Sequence, residues 1–86
     1  MLEWNQLWDA MDAQPQEWIE TTENMFWRML EALPPRDQIG GAFLVGEPRT
    51  TNDDGEHVYA AFHERRDGTF FAKHLTHRQF VDHFRG

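Results

Sequence analysis

Apolar positions in the opening stretch MLEWNQLWDAMDAQP recur at helical spacing. Trp4, Leu7, Trp8 and Met11 fall at i, i+3, i+4 and i+7, while Glu3, Asn5, Asp9 and Asp12 occupy the other faces. This spacing predicts an amphipathic helix that ends near Pro15 and turns Trp4 and Trp8 toward the core. A second stripe, Met25, Phe26, Met29, Leu30 and Leu33 with Trp27 on its flank, follows Thr22 as N-cap and Glu23 in the first turn. It stops at Pro34 and Pro35, because a proline pushes the residue before it out of the α region. The segment EWIET between the two helices reads as extended.

From residue 42 onward the period changes. GAFLVGE is a continuous apolar run, as in a well-covered strand. HVYAAFHE alternates, with Val58, Ala60 and Phe62 on one face and Tyr59, Ala61 and His63 on the other. RRDG supplies an Asp67-Gly68 hairpin turn, and TFFAKHL returns as the next strand. With that turn, Phe71 and Leu75 share the buried face of Val58, Ala60 and Phe62. Tyr59, His63, Phe70 and His74 are then left together on an uncovered face. Thr76 and Gln79 form a capping box for a short closing helix with Phe80, Val81 and Phe84 on its apolar side. The expected fold is α+β: a single domain over residues 1–86, with helices packed on one face of a three-stranded antiparallel meander and a short C-terminal helix.

EALPPRDQIGGAFLVGEP, residues 31–48, is dense in Pro and Gly but has the wrong order for a phosphate loop. Its glycines precede a strand instead of following one and opening a helix, and it lacks a GxGxxG pattern. It reads as a connector.

Composition sharpens this picture. Four Trp, seven Phe and four Met among 86 residues suit a small core built from large side chains. The absence of Cys removes disulfides and Cys-based zinc sites. The start is acidic and polar-interrupted, unlike a signal peptide, and no apolar run reaches membrane-spanning length, so a soluble cytoplasmic protein is expected. The net charge is −7 and unevenly placed: residues 1–33 hold seven acids against Arg28 alone. Such acidity disfavours direct contact with nucleic acid phosphates and favours a basic protein partner.

Catalytic and metal chemistry find few parts. Without Ser or Cys, the nucleophiles available are Thr, carboxylates and the single Lys73, and nothing sets a base beside them. His74 and His77 form a His-x-x-His across an element boundary, with His63 expected opposite His74, but zinc needs three or four converging ligands. TTNDDG carries Thr where a calcium loop needs its first Asp and Ala61 where it needs a bidentate Glu, so it reads as a tight polar turn. No enzyme activity, metal or cofactor is expected.

EWIETTENMFWRMLEALPP, residues 17–35, resembles a segment of a small uncharacterised proteobacterial family carried on plasmids and other mobile elements. Met29-Leu30-Glu31-x-Leu33-Pro34-Pro35 is its most specific part, and a looser likeness runs through AFLVGEPRT, VYAAF and FFAKHLT. The resemblance implies context without assigning any site residue: short mobile-element proteins often antagonise host defence. In size and charge the chain is also similar to small anti-CRISPR proteins. Together these readings set the functional expectation, a non-enzymatic inhibitor of a basic nucleic-acid-handling component of a CRISPR or restriction system. Its expected partner-binding residues are Asp9, Asp12, Glu17, Glu20 and Glu23. Tyr59, His63, Phe70 and His74 form a second expected contact face, for a partner or, in the alternative reading, for the self-association of a structural or regulatory module as a homodimer.

Overall fold

The computed structural model describes residues 4–85, Trp4 through its backbone alone. The expected place of Glu3 on the polar face of the first helix and the packing of the Trp4 ring therefore lie outside the described residues. Helix α1 spans Trp4–Ala13 and buries Leu7 and Met11. The segment expected to be extended forms a short strand β1, Ile19–Thr21. Helix α2, Glu23–Ala32, starts where its cap was read: the Thr22 hydroxyl accepts from the Met25 N–H at 3.2 Å. It ends at Leu33, whose backbone is extended ahead of Pro34.

The proline-rich stretch is more than a connector. Pro35–Ile39 forms strand β2, which turns through Gly40 and Gly41 into β3, Ala42–Val45. Gly40 has φ +57, the backbone that the first position of a tight type II′ hairpin requires. Gly46 is held by close approach, since a Cβ there would sit 2.5 Å from the Pro34 carbonyl oxygen. Pro35 is tolerated because β2 lies at the sheet edge, where no neighbour needs its missing N–H.

Strands β4 (Thr50–Thr51), β5 (His57–Glu64) and β6 (Phe70–Thr76) complete a six-stranded antiparallel sheet of order β1-β6-β5-β3-β2, with β4 on β5. The expected α+β class holds. The three-stranded meander does not, because the polar β2 and the short β1 and β4 extend the sheet.

Register is the second correction. The β5–β6 loop has three residues, 66–68: Arg65 N–H donates to Thr69 O, Gly68 N–H donates to Arg65 O, and Gly68 takes φ +86. This is a turn followed by a glycine bulge, one residue longer than the Asp67-Gly68 turn read from the sequence. The Asp67 carboxylate holds it by accepting from both the N–H and the hydroxyl of Thr69. Phe62 therefore faces Ala72, and His63 faces Phe71. One residue of slip turns all of β6 over. Phe70 joins the face of Phe62, while Phe71 and Leu75 join the face of Tyr59.

Both faces of the sheet are covered. On one, Leu7, Met11, Met25, Phe26 and Met29 of α1 and α2 pack on Phe43, Val45, Ala60, Phe62, Phe70 and Ala72. On the other lies helix α3, His77–Arg85, with Phe80 against Ala42, Leu44, Tyr59, Ala61 and Leu75. Its capping box is fully formed: Gln79 N–H donates to Thr76 Oγ1 and Thr76 N–H donates to Gln79 Oε1. Asp37 of β2 fastens α3 across the sheet, 3.1 Å from His77 Nε2 and 3.8 Å from Arg85. Helices on a single face, as expected from the sequence, would leave Tyr59 and Ala61 wet; here they are 5% and 0% exposed. No helix among the described residues is long and apolar enough to cross a membrane.

Candidate partner-binding surfaces

The acids of the N-terminal third stand at different places on this scaffold. Asp9 lies on the outer side of α1, Glu17 in the turn before β1, and Glu23 in the first turn of α2, all exposed. Glu20 is exposed on β1 and faces Phe71, so its side chain belongs to the α3 side of the sheet. These carboxylates are spread over α1, the turn before β1, β1 itself and the start of α2.

Asp12 is differently occupied. Its carboxylate lies 3.8 Å from Arg49 and 3.4 Å from His74 Nε2. Arg49 in turn stacks on the Trp8 ring, 4.2 Å from its centroid. Trp8 and Asp12 are one turn apart on α1, so the helix grips a single guanidinium between an aromatic face and a carboxylate. Asp12 therefore ties α1 to the sheet. Asp9, Glu17, Glu20, Glu23 and Glu31 hold no ion pair among the described residues; the acids that do are Asp12, Asp37 and Glu56.

The aromatic sheet face expected from the sequence does not form. Tyr59 is buried beneath α3, and Phe70 is buried on the opposite face against Phe26, their ring centroids 5.0 Å apart. His63 and His74 are likewise separated by the sheet. His63 is half-buried between Trp18 and Phe84, while His74 lies on the α1 side opposite Ala60. The physical reason is the three-residue loop, which puts odd-numbered β6 residues with Tyr59. Among the described residues, no three His, Asp or Glu side chains converge as metal ligands.

Burial holds both imidazoles below the usual histidine range. For His74 the causes are burial and then Arg49, partly opposed by Asp12; for His63 they are burial, then Arg65 and His83. A folded histidine with a lowered pKa binds its proton less readily than the unfolded chain does. The stability it confers is complete above the ordinary value of 6.5 and is lost as the pH falls from there toward the folded pKa. Urea unfolding at steps from about pH 7.5 to about pH 5 is expected to show falling stability over this window. His74→Gln should flatten part of that slope. An unchanged slope would show that His74 does not carry it.

Trp27 is the surface feature that sequence reading missed. It is 43% exposed, and no other large apolar side chain among the described residues is exposed. It stands off the buried stripe of α2, one turn from Glu23 on one side and one turn from Glu31 on the other. The signal was present in the spacing of Glu23, Trp27 and Glu31, but Trp27 was absorbed into the flank of a broad aromatic stripe.

No known protein family, curated protein or solved structure matches this chain.

Proposed function

We propose that this chain is a non-enzymatic binding protein that docks on the basic surface of a nucleic-acid-handling protein and blocks it, as an antagonist of a CRISPR or restriction component would. The observation that carries this reading is the unpaired acidity around β1 and α2. Asp9, Glu17, Glu20, Glu23 and Glu31 are exposed and hold no base among the described residues, and seven of the chain's eight bases lie in residues 34–86. Charges left unpaired on a folded surface act at a distance. They steer a positive partner toward that side and repel the phosphates the partner would otherwise bind.

The alternative of self-association through Tyr59 and Phe70 loses its contact surface, because both rings are in the core. The test is the affinity for a fluorescent poly-arginine peptide as salt is raised from about 0.01 to about 0.15 M, where the Debye length shortens from roughly 30 to roughly 8 Å. Binding is expected at low salt and should weaken at least tenfold over this range. Absence of binding at the lowest salt, or an affinity indifferent to salt, contradicts the reading.

A further inference from the structure

We propose that the outer face of α2 is an arginine-docking site, in which a guanidinium of the partner lies on the Trp27 indole between Glu23 and Glu31. This rests on the reading that the partner is basic, and it names the residue type that makes the contact.

The chain contains its own template for such a contact. On α1, Trp8 and Asp12 are four residues apart, and together they hold Arg49, which stacks 4.2 Å from the Trp8 centroid and 3.8 Å from the Asp12 carboxylate. On α2, Trp27 and Glu31 have the same helical offset, and Glu23 adds a second carboxylate one turn before the indole. The spacing that captures an arginine on α1 is therefore repeated on α2, with one more acid. The difference is the missing cation. Trp8 holds Arg49 and Trp18 holds Lys73, whereas no cation of the described residues lies over Trp27.

Trp27 is also held ready. Its ring stands edge-on to Phe26 at 5.1 Å and 89°. Phe26 is 3% exposed and packs on Phe43 and Phe70, so the contact anchors the indole to the core. A tryptophan braced against a buried ring has less freedom to lose on binding than one standing free, which suits an interface hot spot. Indole offers the strongest aromatic attraction for cations, and a planar guanidinium can stack on it while donating to flanking carboxylates. Lysine, a compact and strongly hydrated charge, satisfies one of these demands and not both. The occupant is therefore an arginine side chain of a protein partner.

The experiment compares labelled poly-arginine and poly-lysine peptides of equal length by anisotropy at low salt, on wild type, Trp27→Ala, Trp27→Phe and Glu31→Gln. Circular dichroism should show the wild-type fold for all three variants; Trp27→Ala gives up its contact with Phe26 and should lower the urea midpoint modestly, which leaves the protein folded at the assay temperature. Wild type should prefer poly-arginine. Trp27→Ala should weaken poly-arginine binding about tenfold and erase the preference, Trp27→Phe should keep part of it, and Glu31→Gln should reduce affinity for both peptides. If Trp27→Ala binds poly-arginine as wild type does, the docking site is refuted while the basic-partner reading survives. If wild type binds neither peptide, both fall. Concentration-dependent dimers of wild type that vanish in Trp27→Ala would assign this face to a second copy of the chain and overturn the proposal.

Discussion

Phe62→Ala is expected to destabilise the protein by about 3–5 kcal/mol. Phe62 is fully buried near the middle of the sheet, stacked on Phe43 with ring centroids 5.4 Å apart and 11° between planes. The Trp8 ring meets it edge-on at 6.4 Å. Removing the ring takes contacts from the sheet and from α1 together, and the neighbours that would have to fill the gap are themselves large rings that cannot collapse easily. Small domains have total stabilities of roughly 5–15 kcal/mol, so this loss consumes a large share. The urea midpoint followed by circular dichroism measures it. A cost below about 1 kcal/mol would mean that α1 and α2 do not enclose this face.

Phe80→Ala tests the opposite face and should cost a similar amount, about 3–5 kcal/mol. Phe80 is fully buried, and it is the one residue of α3 that is. It inserts against Leu44, Tyr59, Ala61 and Leu75, while its ring meets Phe84 at 5.1 Å. Without it, α3 keeps its capping box, the half-buried Phe84 against His63 and Trp18, and the ion pairs of Asp37 with His77 and Arg85 and of Arg78 with Glu56. The ion pairs are worth little against water and salt, and Phe84 alone covers much less of the sheet than Phe80 does. A sheet covered on a single side would make α3 peripheral and this substitution cheap. An effect under about 1 kcal/mol would therefore restore the one-sided architecture.

The contrast between these residues shows what the sequence could and could not reveal. Helices were legible because their end signals are local. Thr22, the Thr76–Gln79 box and the prolines after Leu33 act on backbone groups within a few residues of themselves. Phe62 was legible as core because a large ring in the middle of an alternating strand has few other places to go. Register was not legible: an Asp-Gly pair suits both a two-residue turn and the last positions of a three-residue loop, and the choice decides which face Phe70 and His74 occupy. Strand β2 was hidden by its polarity, since an edge strand in PRDQI needs little apolar surface. Two-sided coverage was written in Tyr59 and Ala61, both compatible with burial, but only the docking of Phe80 makes them core.

The candidate site divides along the same line. That Asp9, Glu17, Glu20 and Glu23 are exposed followed from charge alone. That Asp12 is occupied did not, because its partners Arg49 and His74 arrive from distant strands. The Trp8–Asp12 and Trp27–Glu31 pairs both stand in the sequence at the same offset, yet only the folded chain shows that one holds an arginine and the other does not.

The central claim is that the acids bordering β1 and α2 recognise a basic surface, and it is tested most directly by charge reversal at matched net charge. The association rate with the poly-arginine peptide at low salt is measured for Glu20→Lys/Glu23→Lys and for Asp53→Lys/Asp54→Lys. Both pairs are exposed and change the net charge equally, but the second lies in the β4–β5 loop. Glu23 opens α2, where its reversal should cost no more than about 0.3–1 kcal/mol, and Glu20 is exposed on β1, so folding is preserved. The account predicts association slowed at least tenfold by the first pair and changed little by the second, because steering depends on where the field is concentrated. Equal slowing by both pairs, or none by either, would contradict it.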